Sequence, residues 1–325
     1  MSTASPATLI TLDAGQVFSG KKSGTPVRGY ARSSPHTPTL DPDYAFHESS
    51  RDVIVWLLMD KPEPLYVYGP TGCGKTSLVR QLAARLRYPV LDATGHERLE
   101  FSDLVGHLTV RDGTMAFEDG PLTLAMRQGA IFLFNEIDLC SPATLAGLNS
   151  ILDGSPLCIA EKGGELVTPH PMFRFAATAN TNGGSDETGL YQGVLRQNLA
   201  FLDRFMVVET GYPAPEIEQG LLEKRFPALS SDLCRKMVEY AGEVRKLFMG
   251  ETSQYAGAIE VTFSTRTLLR WADLTVRFQP LARQCIAPIT YALDRALGFR
   301  ASRETRAMLH ELAQRIFPRD IPGES

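Results

Sequence analysis

The segment Gly69-Pro-Thr-Gly-Cys-Gly-Lys-Thr76 fits the pattern GxxxxGK[ST]; it follows an apolar run, Leu65 to Tyr68, and precedes a helical pattern. This setting constrains the fold more than any other stretch, because strand, loop and helix in that order give the pattern its chemical meaning. Glycine lets the backbone curl so that successive N–H groups face phosphate oxygens, and the helix N-terminus adds partial positive charge. Among the loop residues Gly69, Pro70, Thr71, Gly72, Cys73, Gly74, Lys75, Thr76 and Ser77, Lys75 is expected to reach β- and γ-phosphates. The Thr76 hydroxyl is expected to hold Mg²⁺. Cys73 reads as a small filler or as an oxidation-sensitive spot. In the helix that follows, Leu78, Val79, Leu82, Ala83 and Leu86 form one apolar stripe, which belongs to a core.

From about residue 46 to 210 short apolar runs alternate with helical patterns. Leu65 to Tyr68, Pro89 to Ala93, Ala130 to Phe134, Phe173 to Ala179 and Met206 to Glu209 read as buried strands. The alternation predicts an α/β fold with a largely parallel sheet covered on both faces. After Tyr212-Pro-Ala-Pro215 the remaining patterns are helical, so a helical lid over 213–325 is expected. Residues 1–45, rich in Ser, Thr, Pro and Gly, read as an extended arm. At 325 residues, about 150 per domain predicts two domains, here a core over 46–212 and the lid.

A phosphate loop of this kind needs a second strand ending in a carboxylate for the metal shell, followed by a Glu that orients water. Ala130-Ile-Phe-Leu-Phe-Asn-Glu-Ile-Asp138 supplies the strand and Glu136, but Asn135 stands where an Asp is expected. Asn135 keeps an acceptor oxygen and loses a negative charge beside Mg²⁺, which predicts weaker metal binding. Asp138 either compensates in the metal shell or, more plainly, caps the helix beginning near Pro142 or lies in a solvated turn. Asn180, at the end of the next buried strand, reads as a polar phosphate sensor. Arg204 is a candidate arginine finger for a neighbour's nucleotide; its alternatives are a surface pair with Asp203 or replacement by Arg196. Arg266 opens a strong helix and reads as a reporter of nucleotide state or as a capping or solvated residue.

With 33 Lys+Arg against 37 Asp+Glu, the net charge of -4 gives no broad basic field, so nucleic acid is a disfavoured partner. No apolar run approaches the roughly 20 residues that span a bilayer, and the first residues lack a signal-peptide layout, which predicts a cytoplasmic protein with no membrane partner. Five widely spread cysteines without a CxxC pair read as reduced thiols. His-Glu at His47, His96 and His310 never continues to HExxH, which removes the zinc-protease reading.

These motifs, in this order, resemble the AAA+ ATPases and, within them, the MoxR-like group of the helix-2-insert branch. Supporting stretches are Asp103-Leu-Val-Gly-His107, Gly113-Thr-Met-Ala-Phe-Glu-Asp-Gly-Pro-Leu122 and Pro169-His-Pro-Met-Phe-Arg-Phe-Ala-Ala-Thr-Ala-Asn-Thr181. The Pro-His-Pro, Ala-Thr-Ala-Asn-Thr, Gly189-Leu-Tyr-Gln-Gly193 and Leu40-Asp-Pro-Asp-Tyr-Ala-Phe46 segments are similar to the small ATPase subunits of aerobic cobaltochelatases. The resemblance covers about residues 38 to 210 well and the rest weakly.

The resemblance implies strand order 5-1-4-3-2, bound ATP and Mg²⁺, and a homo-oligomeric ring, usually hexameric, with an arginine contributed by the adjacent protomer. It also implies a partner with a von Willebrand factor A-type domain and a protein client. The insert at about 104–120 and the hairpin Leu157 to Thr168 would face the pore or client; each also reads as a plain surface hairpin. Asn135 departs from the acidic residue of the cobaltochelatase type. Three functions stay open: a partner-remodelling ATPase, the ATPase subunit of a metal-insertion complex, and a nucleotide-gated scaffold with slow hydrolysis.

Overall fold

The computed structural model describes residues 8–111, 113–184, 191, 193–250, 259–284 and 286–318. In chain order, β1 (Leu9–Asp13), α1 (Ala14–Ser19), β2 (Pro26–Tyr30) and α2 (Ser50–Leu58) lead to β3 (Leu65–Tyr68) and α3 (Lys75–Arg85). Next come β4 (Val90–Thr94), α4 (Phe101–Val105), β5 (Gly106–Arg111), β6 (Thr114–Asp119), α5 (Pro121–Gln128) and β7 (Ile131–Asn135). Then follow α6 (Pro142–Ala146), α7 (Asn149–Leu152), β8 (Leu157–Ile159), β9 (Glu165–Val167), β10 (Arg174–Ala179), α8 (Leu199–Leu202) and β11 (Met206–Glu209). Five longer helices close the chain: α9 (Pro215–Arg225), α10 (Ser231–Met249), α11 (Thr265–Arg277), α12 (Pro288–Ala296) and α13 (Arg303–Ile316).

Two compact units result. One holds the residues up to Pro42 with Glu48–Pro70 and Lys75–Thr210; the other holds Asp43–His47, Thr71–Gly74 and the residues from Gly211 on. In the first, β11-β3-β10-β7-β4 form a parallel sheet. Numbered along the sheet strands alone, the order is 5-1-4-3-2, as the resemblance implied. Because all five strands run the same way, the loop after β3, Asn135 at the end of β7 and Asn180 after β10 gather at one carboxyl edge, where ligands bind in open α/β sheets. The registers that fix this pair Thr178 with Val67 and Ala177 with Phe134.

Apolar strand residues fill both faces of the sheet. Tyr66, Phe132, Phe134, Phe175 and Phe205 are buried in one cluster, with Phe132 and Phe175 ring centroids 5.4 Å apart. Leu78, Val79, Leu82, Ala83 and Leu86 are all buried, so the stripe is core as expected. Arg174 opens β10 only 5% exposed, and its guanidinium donates to the Met59 carbonyl at 2.9 Å. Met59 caps the C-terminus of α2, where the helix presents partial negative charge, so the two terminal nitrogens of a buried cation find carbonyl acceptors without a carboxylate while its Nε stays without a partner among the described residues.

The expectation of an extended arm gives way over residues 9–30. There β1 and β2 pair antiparallel around α1, with Leu9 opposite Tyr30. The Asp13 carboxylate accepts from the backbone N–H groups of Gln16, Ser23 and Gly24, which folds a Ser- and Gly-rich stretch into a closed turn. Tyr30 is buried, donates its hydroxyl to the Gly129 carbonyl at 2.7 Å and stacks edge-on against Tyr88. The side-chain partners of Tyr30 are thus more than 50 residues away, and local periodicity could not reveal them.

Two hairpins project from the first unit. β5 and β6 form the expected insert, and β8 and β9 form the second hairpin, which turns through Gly163 and Gly164 at positive φ of 67° and 82°. They are joined by a ring of charge. Arg127 pairs with Asp119 and Glu165, each at 2.8 Å, and Lys162 pairs with Asp119 at 3.3 Å and Glu165 at 3.1 Å. Their outer faces expose Leu108, Val110, Met115 and Leu166.

The second unit is helical over its described residues, as the patterns after Tyr212 predict. Trp271 packs against Tyr240, Phe263 and Phe317 in its center. Glu218 is 1% exposed and grips Arg245 through two bonds of 2.7 and 2.8 Å, while Thr265 donates to the same carboxylate at 2.6 Å. Such a pair is costly to break by removing one partner, because the other is left charged and buried.

Candidate functional site

The loop after β3 requires glycine at its first position. Gly69 has φ of +153°, and a Cβ there would lie 1.9 Å from the Thr210 carbonyl oxygen. Lys75, at the start of α3, is 9% exposed. Its ammonium donates to the carbonyls of Gly69 at 2.7 Å and Pro70 at 3.0 Å, and to Asn180 Oδ1 at 3.1 Å. The cation is therefore held inside the curl of the loop by acceptors that an incoming phosphate can replace.

Asn135 meets the loop from β7. Its Oδ1 accepts from the Thr76 hydroxyl at 2.7 Å and from the Thr178 hydroxyl at 3.3 Å. A hydroxyl and an amide oxygen suit a hard cation that takes its other ligands from phosphate and water. They bring no charge of their own, and among the described residues no cluster of three His, Cys, Asp or Glu side chains could hold a metal. Glu136 follows with φ 53° and ψ 42°, in the left-handed region that a residue with a Cβ occupies at a cost of order 1 kcal/mol. Its side chain is exposed at the open carboxyl edge.

Asp138 departs from both plain readings. It is fully buried, and the cap of α6 is Ser141, whose hydroxyl accepts from Thr144 N. Asp138 Oδ2 accepts from the backbone N–H groups of Asn180 at 2.8 Å and Thr181 at 3.1 Å, so it fixes the end of β10, while its Oδ1 is buried without a partner among the described residues. Burial raises its carboxyl above the ordinary range, and the two backbone donors oppose that shift.

Arg204 does not pair with Asp203. Its guanidinium grips Asp153, with Nε to Oδ1 at 2.8 Å and the second terminal nitrogen to Oδ2 at 3.1 Å. Arg196 is exposed and makes no ion pair among the described residues. In the second unit Arg266 is the second residue of α11 and exposed; the capping role there belongs to Ser264, which accepts from Thr267 N at 3.0 Å. Cys73 is buried, as suits a filler, and Cys73, Cys140, Cys158 and Cys234 form no disulfide among the described residues. Cys285 and most of the Gly189-to-Gly193 stretch lie outside the described residues.

Sequence reading missed Thr178 and Asp153. Thr178 is a polar residue inside an apolar strand, and that break in pattern was the available signal. Asp153 lies 51 positions from its partner and carried none. A separate cleft of about 710 Å³ at the opposite end of the strands is lined by Arg28, Asp60, His170 and Arg174, away from the loop.

Residues 64–218 match the AAA domain (dynein-related subfamily), and residues 218–316 match the CbbQ/NirQ/NorQ C-terminal family. The chain is 30% identical to aerobic cobaltochelatase subunit CobS of Sinorhizobium sp over 81% of its own length and 80% of that protein's. This chain is a MoxR-like AAA+ ATPase. Protein NorQ of Paracoccus denitrificans is 29% identical over 78% of the chain and 86% of the relative. Protein CbbQ of Hydrogenophilus thermoluteolus is 28% identical over 74% and 86%. Membership in the AAA+ ATPases implies ATP hydrolysis with a divalent metal, and the family core and the C-terminal match meet at Glu218. Among the described residues no helix of this AAA+ ATPase is long and apolar enough to cross a membrane.

Proposed function

We propose that this AAA+ ATPase assembles as a cytoplasmic ring, hexameric in its working state, and uses Mg-ATP to remodel a protein client together with a von Willebrand factor A-type co-protein. The observation that carries the reading is the meeting of three strand ends: Lys75 on Asn180 at 3.1 Å and Thr76 on Asn135 at 2.7 Å. In this reading the loop from Gly69 to Ser77 holds the phosphates, with Thr76 and Asn135 toward the metal. Glu136 aligns water, Asn180 senses the γ-phosphate, Arg204 completes the neighbour's site, and Arg266 reports to the lid. The working division is an N-terminal segment over 1–45, a core over 46–212 and a lid over 213–325. The exposed Leu108, Val110, Met115 and Leu166 on the two hairpins suit contact with an apolar stretch of client.

Two further readings rest on specific observations. Similarity to a protein named as a cobaltochelatase subunit favours an ATPase subunit of a metal-insertion complex. The uncharged Asn135 beside Thr76 favours a nucleotide-gated scaffold with slow turnover.

The test measures nucleotide binding, turnover and assembly size by light scattering with ATP and Mg²⁺. Lys75→Ala should abolish nucleotide binding, and Glu136→Gln should bind ATP but fail to release phosphate. Unchanged turnover in Glu136→Gln would overturn the assigned chemistry, and a monomer at every nucleotide state would overturn the ring.

A further inference from the structure

The pair between Arg204 and Asp153 links two short elements far apart in sequence. Arg204 follows α8 just before β11, and Asp153 follows α7 directly. The Asp153 backbone N–H donates to the Asn149 carbonyl at 3.0 Å, so its carboxylate is carried on a helix end. All three guanidinium nitrogens are engaged: Nε and one terminal nitrogen by Asp153, the other by the Ala200 carbonyl. Arg196, the other arginine of this region, is exposed with no ion pair among the described residues. The fold therefore orients one of the two arginines and leaves the other in solvent.

We infer that Asp153 is a positioning residue that parks Arg204 in the lone protomer and releases it to a neighbour's nucleotide. This rests on the reading of Arg204 as the finger. The chemistry is an exchange of anions. A guanidinium stays charged at all relevant pH, and its planar fork donates to a carboxylate or a phosphate edge in the same geometry. The Arg204 side chain is 28% exposed and that of Asp153 50%, so the pair is open to water and screened. Exposed pairs of this kind shift an equilibrium by about fivefold at most. A nucleotide phosphate with more charge, at an interface that excludes water, is the stronger acceptor. Asp153 thus holds the fork aligned and neutralised, and competes weakly with the neighbour's phosphate for it.

Competition makes a signed prediction. Removing the carboxylate should lower the protein concentration at which ATPase activity reaches half its plateau, by about threefold to fivefold. The experiment measures ATPase rate against protein concentration for the wild type, Asp153→Ala, Asp153→Asn, Arg204→Ala, Arg196→Ala and the double variant Asp153→Ala/Arg204→Ala. The asparagine variant keeps the side-chain shape if alanine disturbs the α7 end. The half-saturating concentration should fall in both Asp153 variants, and in the Arg204→Ala background the second change should do nothing. If Arg204→Ala lowers turnover while Asp153 variants leave the concentration curve in place or shift it upward, the parking role is overturned and the finger stands. If Arg204→Ala turns over like the wild type while Arg196→Ala does not, the finger reading itself fails.

Discussion

The Thr76 hydroxyl donates to Asn135 Oδ1 over 2.7 Å, so the residue standing in place of an acid meets the loop at the hydroxyl proposed to face the metal. Geometry at this point is kept and charge is lost. Because the defect is one of charge alone, a single substitution should repair it. Asn135→Asp is expected to lower the Mg²⁺ concentration for half-maximal ATPase by about tenfold, the change of one carboxylate in the shell of a hard cation. Magnesium titration of turnover in the two proteins checks this; overlapping curves would show that Asn135 does not limit metal use.

Asp138 holds the end of β10 through the Asn180 and Thr181 N–H groups. Asp138→Ala leaves two partly buried donors without their acceptor, each worth about 1 kcal/mol, and lets Asn180 drift from Lys75. Turnover should fall about 10- to 100-fold with nucleotide affinity changed far less, as single-turnover hydrolysis and fluorescent-nucleotide binding would report.

The charge ring of Arg127, Lys162, Asp119 and Glu165 ties the two hairpins together. Each partly exposed pair contributes about 0–1 kcal/mol, so one cut should loosen the hairpins without unfolding the unit. Lys162→Met is expected to speed amide exchange in both Gly106–Asp119 and Leu157–Val167 while the sheet stays protected. Faster exchange in the second hairpin alone would show that the ring does not couple them.

Glu260 sets an acid limit on the second unit. The Thr305 hydroxyl and the Ser302 N–H, each at 2.6 Å, pull its carboxyl from 4.5 down to about 2. A carboxyl lowered by folding contributes stability that is complete above pH of about 4.5 and is lost as pH falls toward about 2. The contribution is about 1 kcal/mol after solvent screening. Glu260→Gln should flatten the acid side of the stability curve, followed by Trp271 emission in a Trp56→Phe background. An unchanged acid slope would show that these two bonds do not hold the Glu260 carboxylate in solution.

Much of the first unit was legible because the P-loop, the apolar runs and their order each carry local signals. The strands lie within a residue of the apolar runs, and Lys75 reaches Asn180 while Thr76 reaches Asn135 at the end of the neighbouring strands. What sequence could not show were relationships made by tertiary closure. Asp138 looked like a helix cap because Pro142 follows it, yet burial and the N–H groups of a strand 42 positions away decide its role. Arg204 stands beside Asp203 in the chain, but the turn after α8 aims it at Asp153. Tyr30 in a Ser- and Gly-rich stretch is fixed by the Gly129 carbonyl, and nothing near it in the chain announces that.

In the proposed function Glu136 carries two demands at once, its carboxylate aligning water while its backbone sits in the left-handed region. Selection for a well-folded chain alone would drift this position toward glycine or asparagine, which enter that conformation without penalty. Selection for turnover would return glutamate despite it. A library randomised at position 136 and sorted separately for stability and for hydrolysis would therefore split into two sequence populations, and the distance between them would measure how far folding and turnover pull against each other at this one residue.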